Sequence, residues 1–318
     1  MRTLEFIVPE KYDGAKAHGF LRGYCKLSYR LLASQKHVEG GVTVNGSLLR
    51  TIDRIHTGDL VHISIPDDRR PAEDSDLPLD VVYEDEDVFV FNKPSNMPVH
   101  PSRGHEKDTL ANACAAYLAR QGLRETFRPL NRLDRDTTGL ILAARNPYSA
   151  ANLGTSARKE YLAICEGTLR ENGTILSPIR IKEGHGIQRE TGVGGESAVT
   201  HWTALVHGGD HTLLHLILET GRTHQIRVHL SSLGHPLAGD DMYGGQTDWI
   251  SRQALHCAAL RFVHPVSGKA VELAAPLPDD MQTLCGQLNL WKGAEEYAVC
   301  HHPLSAGTGA PETLPKDD

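Results

Sequence analysis

A Pro- and Asp-rich stretch over residues 66–79 divides this 318-residue chain into two units that must fold around separate cores. Residues 66–90 carry ten acidic and only two basic side chains. Such a segment stays solvated and ends whatever precedes it. The expected organisation is a first unit over 1–66, an acidic linker over 67–79, a second unit over 80–290 and a flexible tail over 291–318.

The net charge of −7 argues, as an average, against a polyanionic partner. Its distribution argues the other way. Residues 1–65 carry nine basic and six acidic side chains, and residues 91–289 carry twenty and nineteen. The excess acid sits in the linker and the tail, so basic surfaces remain available elsewhere.

In the first unit, Lys16, Arg22, Lys26, Arg30 and Lys36 lie in a stretch with no acid. On one helix, Arg22, Lys26 and Arg30 would share a face; alternatively, Ser28 caps a new helix. Val42-Thr43-Val44-Asn45-Gly46-Ser47 is a hairpin signal, and Leu60 to Ile65 reads as a strand. In the second unit, Val81–Tyr83 and Val88–Phe91 flank an acidic turn and predict a hairpin. Asp108 reads as an N-cap before a helix built on Leu110, Ala113, Cys114, Tyr117 and Leu118. Leu140–Ala144 and Tyr161–Cys165 read as buried strands. Ala198–Val206 and His211–Leu218 form a second hairpin, and Thr223–Leu233 reads as a helix stopped by Gly234. No βαβ rhythm and no internal repeat appear. The fold class is therefore α+β, a mixed, largely antiparallel sheet, preceded by a small α/β unit.

No run approaches the ~18 apolar residues of a membrane span, and the N-terminus has no apolar h-region and does not read as a secretory signal; a cytoplasmic location is expected. The six cysteines show no CxxC pairing and read as free buried thiols in a reducing setting.

Two polar clusters stand out. The first, Asn131-Arg132-Leu133-Asp134-Arg135-Asp136-Thr137-Thr138-Gly139, places a carboxylate between arginines ahead of an apolar strand. It reads either as a salt-bridged turn or as an ionised carboxylate kept ready as a nucleophile. The second, Thr220-Gly221-Arg222-Thr223-His224-Gln225-Ile226-Arg227-Val228-His229, suits an anionic partner. His224 and His229 are five residues apart, which does not match a zinc-binding helix. Gly192-Val193-Gly194-Gly195 lacks the context of a phosphate loop, and Cys300-His301-His302 is a weak metal signal in the tail. The sequons at Asn45 and Asn172 lack any sign of secretion.

Together these residues resemble the RluA family of pseudouridine synthases. Asn131 to Gly139 is similar to its H-R-L-D-x-x-T-S-G motif, with Asn131 where the family often has His and Thr138 where it often has Ser. Asn92-Lys93-Pro94 through Pro101 resembles its first motif and Lys159-Glu160-Tyr161-Leu162-Ala163 its tyrosine motif. Gly221 through Leu230, then Gly234-His235-Pro236, Gly239-Asp240 and Tyr243-Gly244-Gly245, resemble its third. The likeness spans about residues 80–285. The first unit resembles, more loosely, the RNA-binding domain named after ribosomal protein S-four.

The resemblance implies isomerisation of uridine to pseudouridine in RNA, with no atom gained or lost and hence no cofactor and no metal. It implies Asp134 as the catalytic carboxylate, Arg222 as its ion-pair partner and Tyr161 packed on the target base, where it would assist proton transfer. It implies Arg132 in the space left by a flipped nucleotide. Lys93, His224 and Arg227 would be further RNA contacts, and Arg22, Lys26 and Arg30 would meet phosphates from the first unit. Ribosomal RNA of the large subunit is favoured over transfer RNA, and a monomer is expected. Two other functions compete: a catalytically silent RNA-binding or ribosome-assembly factor, and a hydrolase using Asp134 with Asp136.

Overall fold

Strand signals around tight turns dominate the sequence, and the computed structural model builds two main sheets from them. It describes residues 2–66, 71–73, 75–154, 157–170 and 172–294. The first unit has strands β1 (Arg2–Ile7), β2 (Val42–Val44), β3 (Ser47–Leu48) and β4 (Leu60–Ile65) in the order β1-β4-β2-β3, with helices α1 (Ala17–Gly23) and α2 (Tyr29–Ser34). Asn45 and Gly46 both take positive φ, as a two-residue hairpin turn requires. The basic stretch is two helices, not one. Lys26 adopts φ +53°, and Ser28 Oγ accepts from the Leu31 amide at 3.1 Å to start α2. The break lets Phe20, Leu21, Cys25, Leu27 and Leu31 all reach the core while Arg22, Lys26 and Arg30 stay exposed.

The second unit adds β5 (Val81–Glu84), β6 (Val88–Lys93), β7 (Arg128–Pro129), β8 (Thr138–Ala144), β9 (Arg158–Glu166), β10 (Gly173–Ile175), β11 (Ile179–Ile181), β12 (Arg189–Thr191), β13 (Thr200–Gly208), β14 (His211–Leu218), β15 (Leu255–Val263) and β16 (Ala270–Ala274). A ten-stranded sheet runs β10-β13-β14-β9-β15-β8-β6-β5, with β16 on β15 and β7 on β8, while β11 and β12 form a separate hairpin. Among the described residues, only the β15–β8 pairing is parallel. Helices α3 (Leu110–Arg120), α4 (Pro147–Leu153), α5 (Gln225–Ser232) and α6 (Asp279–Gln287) complete the unit. This is the mixed, largely antiparallel α+β sheet that the sequence predicts.

Two expectations shift. Asp108 bonds His105, and the cap of α3 is Thr109, paired with Asn112 in a capping box. The described part of the linker lies on the second unit: the Asn112 side chain donates to Glu73 O at 2.6 Å, Lys107 pairs with Glu73 at 2.7 Å, and Leu77 and Leu79 pack on the main core. The two units also meet directly. Arg2 clasps Asp87 at 3.0 and 3.2 Å, and Tyr148 of α4 is buried in the first unit's core. Five cysteines are free and buried, and burial pushes the thiols of Cys25, Cys114, Cys165 and Cys257 up to about 12. Cys300 and its neighbouring histidines, with all but the first residues of the tail, lie outside the described residues.

Where β8 meets β15, Gly139 takes φ +109°, and a Cβ there would stand 2.3 Å from the Cys257 carbonyl oxygen. The parallel contact that aims the preceding loop therefore requires glycine. Gly139→Ala is expected to cost about 3 kcal/mol or more in urea unfolding, since backbone must move on both strands.

Candidate active site

The loop of residues 131–137, between β7 and β8, carries the first polar cluster. Asn131 ties it down: its side chain donates to Leu140 O at 3.0 Å and accepts from the Leu142 amide at 2.8 Å. Leu133 is buried, Arg132 is exposed beside it, and the Thr137 amide closes a turn onto Asp134 O at 3.1 Å. Thr138 Oγ1 meets His256 Nδ1 at 2.8 Å. The two departures from the family pattern thus both lie on hydrogen-bonded scaffold positions, and neither contacts the Asp134 side chain.

Three buried cations grip this loop. Lys93, at the end of β6 and 1% exposed, donates to the carbonyls of Pro94, Met97 and Arg135 at 2.8, 2.9 and 2.9 Å. It is therefore not an RNA contact but a buried staple, a correction to the sequence reading. Burial pushes its amine down to about 7, against the opposing pull of the Asp136 and Asp134 charges. Arg252 donates to Asp136 O at 3.1 Å and is anchored by Asp280 of α6 at 2.6 and 2.8 Å. Lys93→Met leaves the Pro94 and Met97 carbonyls without this donor. It is expected to cost about 3 kcal/mol by urea unfolding, the scale of buried groups losing a charged partner.

The third cation is Arg227, in the first turn of α5. Its Nη1 meets Asp134 Oδ2 at 3.0 Å, while Nε and Nη2 form a two-pronged pair with Asp240 at 2.7 Å each. Its guanidinium lies 5.0 Å from the centre of the Tyr243 ring. Burial opposes its charge, but Asp240 and Asp134 more than offset that and hold its pKa above the ordinary value. Arg222 does not pair with Asp134. It donates to Ser197 O at 2.9 Å and pairs with Glu196 at 2.6 Å, on the exposed side. The reason is local. Gln225 Oε1 accepts from the Arg222 amide and Thr220 Oγ1, and His224 adopts a left-handed conformation at the start of α5. That turn sends residue 222 outward, and the helix phase brings residue 227 inward. Arg227, expected on RNA, is thus the partner of Asp134.

His224 Nε2 stands 3.8 Å from Asp134 Oδ2, and its Nδ1 is 2.8 Å from the Tyr243 hydroxyl. Tyr161, on β9, is 5% exposed. Burial, reinforced by Cys257 and the Asp134 charge, holds its hydroxyl well above the ordinary tyrosine value. Asp136 turns away to Arg135 at 3.0 Å. Asp240 and Tyr243 fell within the quoted third motif without a role, and Arg252 gave no signal at all.

His229 bonds Thr200 Oγ1 and Ser177 O, each at 2.9 Å, so both ring nitrogens are engaged. Among the described residues, Asp85, Asp87 and His264 bring three potential ligand atoms within 4.8 Å. His264 Nδ1 already accepts from the Val266 and Ser267 amides, which leaves the ring proton on Nε2, 2.9 Å from Asp85. Asp87 accepts from Arg2, Asn146 and Ser149. The chemistry of this cluster is that of a structural network that holds the β5–β6 turn.

Comparison with known proteins gives the family. Residues 87–232 match the family described as RNA pseudouridylate synthase. The uncharacterized RNA pseudouridine synthase YlyB of Bacillus subtilis is 40% identical over 305 residues, covering 91% of this chain and 99% of that relative. The ribosomal large subunit pseudouridine synthase D of Xylella fastidiosa is 37% identical over 275 residues, covering 78% and 81%. Among solved structures, human RNA pseudouridylate synthase domain containing 1 matches with a TM-score of 0.52 at 30% identity, covering 64% of this chain and 84% of that one. The chain belongs to the RluA-type family of RNA pseudouridine synthases. Its activity is that of an isomerase that converts uridine to pseudouridine in RNA.

Proposed function

We propose that Asp134 is the catalytic carboxylate and that the substrate is ribosomal RNA of the large subunit. One observation carries the first part. Asp134 is a partly exposed carboxylate whose contacts, from Arg227 and His224, both address Oδ2; among the described residues, Oδ1 has no protein partner. A carboxylate gripped on one oxygen and open on the other is oriented for attack or proton transfer.

The target uridine must leave its stack to reach that oxygen, at a cost of a few kcal/mol. Arg132, exposed beside Asp134, is placed to fill the gap, and Tyr161 supplies an apolar face for the base. The bond from N1 to the ribose breaks with the help of Asp134. The uracil turns, C5 bonds the anomeric carbon, and the C5 proton leaves while N1 gains one. The substrate part draws support from the likeness to the Xylella enzyme and from the first unit, read as an S4-like RNA-binding domain with Arg22, Lys26 and Arg30 exposed on it. A cytoplasmic monomer fits this reading.

The test is pseudouridine mapping of total RNA from a deletion strain complemented with wild type or Asp134→Asn. Large-subunit sites should vanish on deletion and return only with wild type. Return of those sites with both would remove Asp134 from the chemistry. Lost sites confined to transfer RNA would overturn the substrate, and no lost site alongside tight RNA binding would favour a silent assembly factor.

A further inference from the structure

Tyr243 lies beside both Arg227 and His224. It sits in a short turn behind α5, 9% exposed, and its hydroxyl is the junction of two hydrogen bonds. The backbone amide of Arg189, in β12, donates to it at 2.9 Å. His224 Nδ1 lies 2.8 Å away on the other side. With its oxygen taken by an amide donor, the buried hydroxyl satisfies its own proton by giving it to Nδ1. The single ring proton of neutral His224 then resides on Nε2, which faces Asp134 Oδ2 at 3.8 Å. The ring has little freedom to do otherwise, because residue 224 is held at φ 56° and its edge packs against Tyr243 at 5.7 Å between ring centres.

We propose that Tyr243 is a positioning residue: seated on the Arg189 amide, its hydroxyl locks His224 in the tautomer that turns an N–H toward Oδ2 of Asp134, so that Oδ1 is the oxygen offered to the substrate. The inference rests on the reading of Asp134 as the catalytic carboxylate. The opposite tautomer would set a nitrogen lone pair against Oδ2 and turn the carboxylate away from Arg227. Burial favours the uncharged ring and holds its pKa below the ordinary value, while Asp134 and Asp240 raise it and Arg227 and Arg189 lower it. The arrangement also links two parts of the fold. Gln188 donates to Met242 O at 2.8 Å, so the β11–β12 hairpin is tied to the Tyr243 turn twice, and its seating is felt at Asp134.

The test is Tyr243→Phe in the full-length protein. This change keeps the ring over Arg227 and removes only the hydroxyl. Nitrogen-detected NMR of the histidine side chains should show His224 as the Nε2–H tautomer in wild type and a shift toward Nδ1–H in the variant. Single-turnover pseudouridine formation should fall about tenfold, the scale on which orienting partners act, with RNA affinity unchanged. In a His224→Gln background, whose side chain keeps an N–H without tautomers, the same change should cost almost nothing. An unaltered tautomer, a loss confined to RNA affinity, or an equal loss in the Gln background would each overturn the proposal. If instead Asp134→Asn proved active, the reading of Asp134 would fall, while the NMR result would still report whether Tyr243 sets the tautomer.

Discussion

Asp134→Asn is expected to leave the fold and the RNA affinity intact while lowering the single-turnover rate at least about a thousandfold. The separation follows from the way Arg227 divides its contacts. Two of its nitrogens are committed to Asp240, whose side chain is fully buried, and a third reaches Asp134 at the edge of the site. Removing the Asp134 charge therefore leaves the buried cation paired. Stability should change by less than about 1 kcal/mol, as for other partly exposed ion pairs. On the proposed reading chemistry loses its carboxylate, since Asp136 is turned to Arg135 and Asp240 is buried against Arg227. Equal stability with lost turnover, measured by urea unfolding and by quenched single-turnover assays on one RNA, is the expected pair of results. An active variant would rule out the carboxylate's direct part.

Arg227→Met is expected to behave differently, losing stability and turnover together. It strands Asp240 as an unpaired buried charge, which typically costs about 3–5 kcal/mol. It also frees Asp134 to rotate. The two losses can be pulled apart with Arg227→Met combined with Asp240→Leu, which removes both charges and leaves apolar side chains in their place. The double variant should recover most of the stability yet remain as inactive as Arg227→Met alone. Recovery of turnover with stability would mean that Arg227 serves only the fold.

Much of this was legible from residue pattern. Val42 to Ser47, the strands around Glu84–Asp87 and the period of Leu110 to Leu118 are local signals, and local backbone preference decides them. The loop of Asp134 was legible because its polar residues stand at the threshold of an apolar strand. What the sequence did not reveal depends on chain geometry between distant parts. Arg222 and Arg227 flank one motif equally, and only the left-handed turn at His224 decides which of them faces Asp134. Lys93 follows Val88 to Phe91 like any charge at a strand end. Nothing local says that three carbonyls, one of them forty-two residues away, will surround its amine. Arg252 and Asp280 meet across the same kind of distance.

The grip on the Asp134 loop is a grip on backbone. Lys93 and Arg252 hold the carbonyls of Arg135 and Asp136, whatever side chains those residues bear. The loop's outward side chain Arg132 is therefore relieved of scaffold duty, while Arg135 still holds the Asp136 carboxylate. On the reading proposed for Asp134, a chain built this way can exchange the side chain it offers to RNA while the carboxylate keeps its place, which makes position 132 the natural point at which to retarget the enzyme.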